Sequence, residues 1–326
     1  MPLRPPPLAL AAALAACLAC SRGGDRASRA QALAESEASR PQAFDPGQPL
    51  EALRLSAGDA AARAGSFAWE AQVSWTVARP GAAPVHLVER HRVRQLATGE
   101  FDVSADLDPG AGPGSETGKQ LVYAGGMTYA RGRWAPFRER PTDRGRDARR
   151  FRDESFRLAA DLADLYGAAL VAHPSGEVTF LGRRARRYVL SLSGAAPARA
   201  GPPPAALPDG KYDPGTRKRL DFLEGRVPAA LSGELLLDAA SGLPLSVSLR
   251  GAFSQQSDPQ LRAEVDLAAT VRSLGGDVPP VAPPRGALGD ERKPKGVARA
   301  LEAAGLRQRD GGAAAEEEQD EAPPDE

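Results

Sequence analysis

The 326-residue sequence predicts a mainly β domain, built on one large antiparallel sheet whose single apolar face is covered by helices. Three observations lead to this class. Apolar and polar residues alternate in stretch after stretch between residues 48 and 283, which buries one face of a strand and exposes the other. Turn-forming residues separate these stretches, as in hairpins. Two other segments repeat apolar residues every three or four positions, as amphipathic helices do.

The strands are predicted from the alternation alone. It is clearest at 67–78, where every odd position is apolar. The last stretch, 261–271, is rich in helix-forming Ala, Leu, Glu and Arg, but its alternation outweighs that propensity. We therefore predict strands in seven places: 67–78, 85–93, 178–180, 188–192, 231–237, 243–253 and 261–271.

Helices are predicted at Gln48–Ala64, before the first strand, and at Asp147–Ala169, in mid-chain. The second carries an apolar stripe, and such a stripe needs an apolar surface to cover, which the sheet offers. A third, short helix is expected around Pro214–Glu224, after a Pro/Ala-rich loop insertion at 195–210.

The first twenty residues read as an export signal. A basic residue, Arg4, precedes an apolar run that is too short to span a bilayer as a helix. The segment resembles a bacterial lipoprotein signal, in which a Leu-small-small-Cys tetrad is cut before a cysteine that receives the lipid. Residues 14–17 match this tetrad, so cleavage at 16/17 and lipidation of Cys17 are expected, with cleavage at 19/20 and Cys20 as the alternative.

An ordinary secretory signal with incidental cysteines is the competing interpretation. It is weakened because both cysteines lie in the leader, and no cysteine follows Cys20. Neither candidate is followed by Asp, which would resemble an inner-membrane retention signal. We therefore expect a membrane-anchored protein of a Gram-negative cell envelope, on the periplasmic face of the outer membrane.

Both flanks of the domain are polar. Residues 20–47 contain almost no large apolar side chains and are expected to form a disordered tether, and residues 284–326 a disordered charged tail. The chain has 42 basic and 42 acidic residues, so its net charge of zero gives no attraction to nucleic acid.

Motifs for catalysis and cofactors are missing from the sequence. It has no glycine-rich nucleotide loop and no GxSxG nucleophile turn. His86 and His91 lie five apart on a predicted strand and so point to opposite faces, and His173 precedes Pro174 in an expected turn. We expect no metal, no cofactor and no enzymatic activity; a hydrolase would need a cleft with convergent polar groups.

Two arginine clusters stand out. Residues 131–150 contain eight arginines and three acids, and a second group lies on one predicted strand. Arginine forks grip phosphate or carboxylate groups bidentately, but such a cluster is also typical of a solvated face whose charge nearby acids offset. The second group supplies our candidate head-group contacts: Arg183, Arg184, Arg186 and Arg187.

The order of these segments resembles the LolA/LolB and LppX/LprG superfamily of envelope lipoproteins. The most specific piece is the hairpin at 233–245, a strand followed by an Asp-x-x-x-Gly-Leu-Pro turn and a second strand. The resemblance covers residues 48–283; the insertion at 195–210 and the charged tail depart from it. It implies a strongly curved, half-open barrel lidded by helices, whose concave face holds acyl chains.

By this resemblance, the concave face would bind or carry a lipid or a lipoprotein's acyl chains. The alternative is an envelope scaffold or assembly partner whose sheet packs against its helices as a filled core. The same alternation of apolar and polar residues is expected for a lipid-binding face and for a filled core. The candidate lining of a lipid cavity is Phe67, Trp69, Val73, Trp75, Leu235, Leu237, Leu245, Val247 and Leu249.

Overall fold

The computed structural model describes residues 44–143, 145–193 and 222–289. Its strands are β1 Phe67–Ala78, β2 Val85–Gln95, β3 Phe101–Asp108, β4 Thr117–Ala124, β5 Met127–Gly132, β6 Arg138–Glu139, β7 Leu170–Phe180, β8 Arg183–Leu192, β9 Arg226–Asp238, β10 Pro244–Gln255 and β11 Asp258–Leu274. All pair antiparallel in one sheet, ordered β6-β5-β4-β3-β2-β1-β11-β10-β9-β8-β7. The sheet keeps two free edges and does not close, which confirms the predicted fold class.

Every predicted strand is present, and β1 has the predicted bounds. The sequence prediction omitted β3, β5 and β6, although β3 alternates as clearly as its neighbours. The expected turn at His173 was wrong, because β7 continues through it. Pro174 lacks an N–H donor and is tolerated there because β7 is an edge strand, whose ladder is irregular between Pro174 and Glu177.

The odd residues of β1 define the inner face of the sheet. Register carries this face across the strands: Trp75 lies opposite Leu87 on β2 and Val265 on β11, and Val265 lies opposite Gly251 on β10. Gly251 in turn lies opposite Leu231 on β9. The apolar residues of five strands therefore form one continuous surface.

The predicted helix Gln48–Ala64 is two elements, a 3₁₀ helix Pro49–Arg54 and α1 Ala57–Ala64. The chain breaks there because Ser56 is extended and caps α1, its hydroxyl accepting the Asp59 N–H at 3.0 Å. The predicted helix Asp147–Ala169 is likewise divided, into α2 Arg146–Phe156, α3 Leu158–Tyr166 and a short 3₁₀ turn, Gly167–Ala169.

Several expectations lie outside the described residues: the leader, most of the tether, the insertion at 195–210, and the charged tail beyond residue 289. Of the expected helix Pro214–Glu224, only the end is described, where residues 222–225 form a helical turn.

Aromatic contacts hold the helices on the inner face. The ring of Phe156 in α2 lies 5.2 Å from that of Phe67 and 5.4 Å from that of Trp69. Tyr166, at the end of α3, lies 4.5 Å from Phe253, so the cover reaches from β1 to β10. Each aromatic pair contributes about 0.5–1.5 kcal/mol of stability beyond the free energy gained by burying its surface area.

Each edge of the sheet is protected. At one edge, β6 has only two residues, and Leu288 forms a parallel bridge with Arg138. The Glu139 N–H donates to the Leu288 carbonyl at 2.9 Å, and the Leu288 N–H donates to Phe137 at 2.8 Å. At the other edge lies β7 with its irregular ladder.

We expect Gly251→Ala to destabilise the domain. A Cβ at residue 251 would overlap the hydroxyl of Tyr166, whose side chain is fully buried. Relieving such overpacking typically lowers the free energy of unfolding by about 1–3 kcal/mol. Urea unfolding of the variant and of the unaltered chain measures this difference in the free energy of unfolding.

Gly276→Ala is the matched control, because a Cβ there has nothing within 4 Å. Adding Tyr166→Phe, which removes the closest atom, should recover part of the loss. Equal stability of Gly251→Ala and Gly276→Ala would contradict this packing.

Candidate functional site

The inner face is closed over most of its area. Eight of the nine residues predicted to line a lipid cavity are at most 2% exposed: Phe67, Trp69, Val73, Leu235, Leu237, Leu245, Val247 and Leu249. They belong to one packed core with residues of α2 and α3. In this conformation they are filled core, and a ligand could reach them only if the helices moved.

The ninth residue, Trp75, is only half-buried and marks where the cover ends. Leu87, opposite it on β2, is half-buried too, and Val85, at the start of β2, is 61% exposed, whereas Val265, opposite Trp75 on β11, is buried. We call the half-buried apolar residues at this end of the sheet the mouth; they are Trp75, Val77, Leu87 and Leu107 on β1 to β3, and Leu231 on β9.

Two polar residues interrupt the inner face beside the mouth. Glu89 lies opposite Leu107, and His91 lies opposite Ala71 and Ala105. The His91 Nε2 atom is 3.5 Å from the Glu89 carboxylate, and its buried Nδ1 atom has no hydrogen-bond partner among the described residues.

The two histidines of β2 face opposite sides of the sheet, as the spacing predicted. His86 Nδ1 lies 3.0 Å from the Thr76 hydroxyl on the outer face, whereas His91 is inside. Sequence reasoning did not connect His91 with Glu89, although both fall on inner-face positions of β2 and break its apolar pattern.

A buried guanidinium fixes the helical cover to the sheet. Arg152 of α2 is 5% exposed, and its Nη1 donates to the Gln95 side-chain oxygen at 2.8 Å. Its Nε donates to Asp153 at 2.9 Å, and its plane lies 4.8 Å from the ring of Phe101. Asp153 also accepts the Ala57 N–H at 3.0 Å, which ties α1 to the same cluster.

At the other end of the cover, Tyr166 has no polar partner. Its hydroxyl makes no hydrogen bond to any described residue, and burial raises the pKa of Tyr166 above its usual value. The phenol therefore stays neutral and acts as a packing group.

The four arginines predicted to contact a head group do not converge. Arg183 donates to the buried Asp238 at 3.3 Å and to the Ala64 carbonyl, at the end of α1, at 3.0 Å. Two others make surface ion pairs, Arg184 with Glu177 at 3.6 Å and Arg187 with Glu234.

Arg186 is half-buried, and its Nε has no partner among the described residues. Three of the four are therefore engaged by acids within the domain, and Arg183 serves to join a helix to the β9–β10 turn.

A small pocket of about 170 Å³ lies at the start of α2, lined by groups that include Lys119, Arg140 and Arg146. Burial alone would raise the pKa of Asp143 in its wall. Donation from the backbone of Asp147 and Ala148 and from the Thr128 hydroxyl outweighs that effect, so the pKa lies below the usual value. The Asp143 carboxylate therefore accepts hydrogen bonds from the first turn of α2 and stabilises the start of this helix.

The outer face carries a shallow groove of about 570 Å³. Small side chains form its floor, and Arg90, Arg92 and Arg272 border it. Arg272 pairs with Glu70 at 2.8 Å and Arg90 donates to Gln72 at 3.2 Å, so two of the three cations have partners.

Among the described residues, no three His, Cys, Asp or Glu side chains are grouped so as to hold a metal ion. In the same part of the chain, no helix has both the length and the hydropathy needed to cross a membrane.

No family model matches the chain, and no curated protein matches it. Among solved structures it is similar to a LolA superfamily protein from Nitrosomonas europaea, at 12% identity and a TM-score of 0.20, over 72% of this chain and 96% of the other. A DUF1329 family protein from Desulfovibrio piger aligns at 9% identity and 0.22, with the same coverage.

A third, a candidate outer membrane lipoprotein-sorting domain from Vibrio parahaemolyticus, aligns at 10% identity and a TM-score of 0.21, again over 72% of this chain and 96% of the other. These structures include the superfamily that the sequence resembles. With TM-scores this low they carry no functional argument, and the LolA-like open, helix-covered sheet is established by the strand order itself.

We expect Arg152→Ala to loosen the helical cover. It would leave the buried Gln95 side chain and the partly exposed Asp153 carboxylate without their partner, and leaving a buried polar group unpaired costs about 1–3 kcal/mol. Arg150→Ala, on the exposed side of the same helix, removes only a surface pair with Glu154 and should change stability by less than about 0.5 kcal/mol. Urea unfolding of both variants measures the difference; equal effects would show that the buried cluster does not hold the cover.

Proposed function

We propose that this chain is a lipid-anchored, non-enzymatic protein of a bacterial cell envelope that binds an acyl chain at the mouth of its half-barrel. The observation that supports binding is the uneven cover of the inner face. The rows that cross β10 and β11 are sealed, with Tyr166 of α3 over Phe253, while the mouth residues on β1, β2 and β3 extend past the helices and remain half exposed.

The mouth has the composition that an acyl chain requires. Its five defining residues are apolar, and Trp75, Val77 and Leu87 lie next to one another on β1 and β2. Toward Leu231 the row is covered, because Val265 is 3% exposed and the Tyr166 hydroxyl lies over Gly251. Burying a methylene group is worth about 0.8 kcal/mol, so a chain that covers this strip would bind without any ionic contact. Glu89 and His91 would then lie at the side of the strip, where a polar head group could meet them.

Handling of lipid or lipidated protein would place the chain in the cell envelope. The leader agrees with the same location, since Cys17 or Cys20 would carry the anchor. One acyl chain binds a membrane only marginally, whereas two or three hold a protein there stably.

A scaffold with a filled core is the second candidate. The observation that favours it is the complete burial of eight of the nine predicted lining residues, with Tyr166 and Phe253 in contact over them. In that case the mouth would be a surface feature without a ligand, and the helices would not move.

Uptake of cis-parinaric acid separates the two candidates. Its polyene accepts excitation energy from tryptophan, so binding at the mouth should give saturable transfer from Trp75. Leu87→Gln places an amide in the middle of the strip and should weaken binding by about tenfold or more, in line with the ~1.5–3 kcal/mol gained on burying a leucine.

Val189→Gln is the matched control, because Val189 is also apolar but lies 41% exposed on the outer face of β8. No saturable transfer in the unaltered chain would leave only the scaffold. Equal loss in both variants would place binding elsewhere than the mouth.

The anchor is tested by Cys17→Ser and Cys20→Ser, singly and together, followed by detergent partitioning of the cell envelope. We expect Cys17→Ser alone to move the protein to the aqueous phase, because the thiol of the matching tetrad is lost. If only Cys20→Ser moves the protein to the aqueous phase, Cys20 is the lipidated residue. Partitioning of the double variant into detergent would refute lipidation.

A further inference from the structure

One large aromatic side chain points into solvent. Trp134, in the turn between β5 and β6, is 75% exposed, the highest value among the large apolar side chains of the described residues. The other two tryptophans, Trp69 and Trp75, belong to the core and to the mouth. A solvated tryptophan of this kind contributes nothing to the core, and its apolar ring with one polar edge suits a membrane interface.

Cations surround this tryptophan. The guanidinium of Arg133 lies 5.0 Å from the Trp134 ring, and that of Arg131 lies 4.5 Å from the ring of Phe137 in the same turn. Segment 131–138 contains three arginines and no acid.

The nearby acids do not cancel this charge. Asp106 pairs with Arg133 at 2.6 Å and so neutralises one arginine. Arg131 donates twice to the neutral side chain of Gln120, at 2.9 and 2.7 Å, and keeps its charge. The turn therefore combines an exposed indole with a net positive charge.

The turn lies at the same end of the sheet as the mouth. Gly132 at its start pairs with Lys119 near the beginning of β4, and Thr117 pairs with Leu107 of the mouth. Leu107 in turn lies opposite Glu89, one inner-face position from Leu87. The chain enters the domain at the opposite end, where Tyr188 donates to the Pro46 carbonyl and Phe44 packs against the turn at Gly242.

We propose that the β5–β6 turn docks on an anionic lipid surface, with Trp134 at the depth of the head groups and Arg131 and Arg133 on their phosphates. Indole rings prefer this depth because they are apolar with one polar edge, and guanidinium groups bind phosphate bidentately. The mouth would then face the membrane from which an acyl chain could enter. Docking needs only the turn, so it does not depend on whether the mouth binds a ligand.

Quenching by brominated lipids tests the docking and separates it from the proposed function. The full chain is reconstituted in vesicles of brominated phosphatidylcholine, with and without phosphatidylglycerol, and its tryptophan fluorescence is recorded. We expect quenching that requires phosphatidylglycerol, is lost in Trp134→Phe and persists in Trp75→Phe. Quenching lost only in Trp75→Phe would support an acyl chain in the mouth and overturn the docking.

The charge of the turn is tested in the same vesicles. Arg131→Gln should lower the ratio of docked to free turn by about fivefold, since a cation near an anionic surface contributes about that amount. The matched control is Arg184→Gln, an exposed arginine at the far end of the sheet, which should have no effect. Quenching that is indifferent to phosphatidylglycerol, or equal loss in both variants, would overturn the proposal.

Discussion

The half-barrel depends on the guanidinium of Arg152, which joins the helical cover to the sheet. An open sheet with one apolar face cannot seal itself, so some other element must cover it. Arg152 reaches from α2 to Gln95 on the sheet, lies over Phe101, and shares Asp153 with the start of α1. One side chain thus links α1 and α2 to two strands of the sheet, β2 and β3. Because this link lies at one end, the far rows of the inner face on these strands are left uncovered.

The two tryptophans of β1 show how much this cover decides. Trp69 and Trp75 lie on the same face of the same strand, six residues apart. Trp69 is 1% exposed beneath Phe156, while Trp75 is half-buried beyond the helix. Packing against α2, rather than any property of the residue, makes one a core side chain and leaves the other half exposed at the mouth.

The same distinction explains what could be predicted from sequence. Period-two alternation is a local property, so β1 was predicted at its observed bounds and the class of fold followed. Which arginine is buried is a tertiary property, because every arginine carries the same charge in the sequence. The role of Arg152 is set by Gln95, 57 residues away, and that of Arg183 by Asp238, 55 residues away. The lining residues were correctly placed on one face, but no local pattern tells how far a helix covers that face.

The open sheet also has a consequence for solubility. A sheet with two edges offers two rows of unpaired backbone groups on which a second chain could add a strand. Here one edge ends in the two-residue β6 and is bridged by Leu288, and the other carries Pro174 and an irregular ladder. Neither presents a long, regular template. The fold can therefore keep one face accessible without inviting edge-to-edge aggregation, an association that would otherwise grow with the number of strands left unclosed.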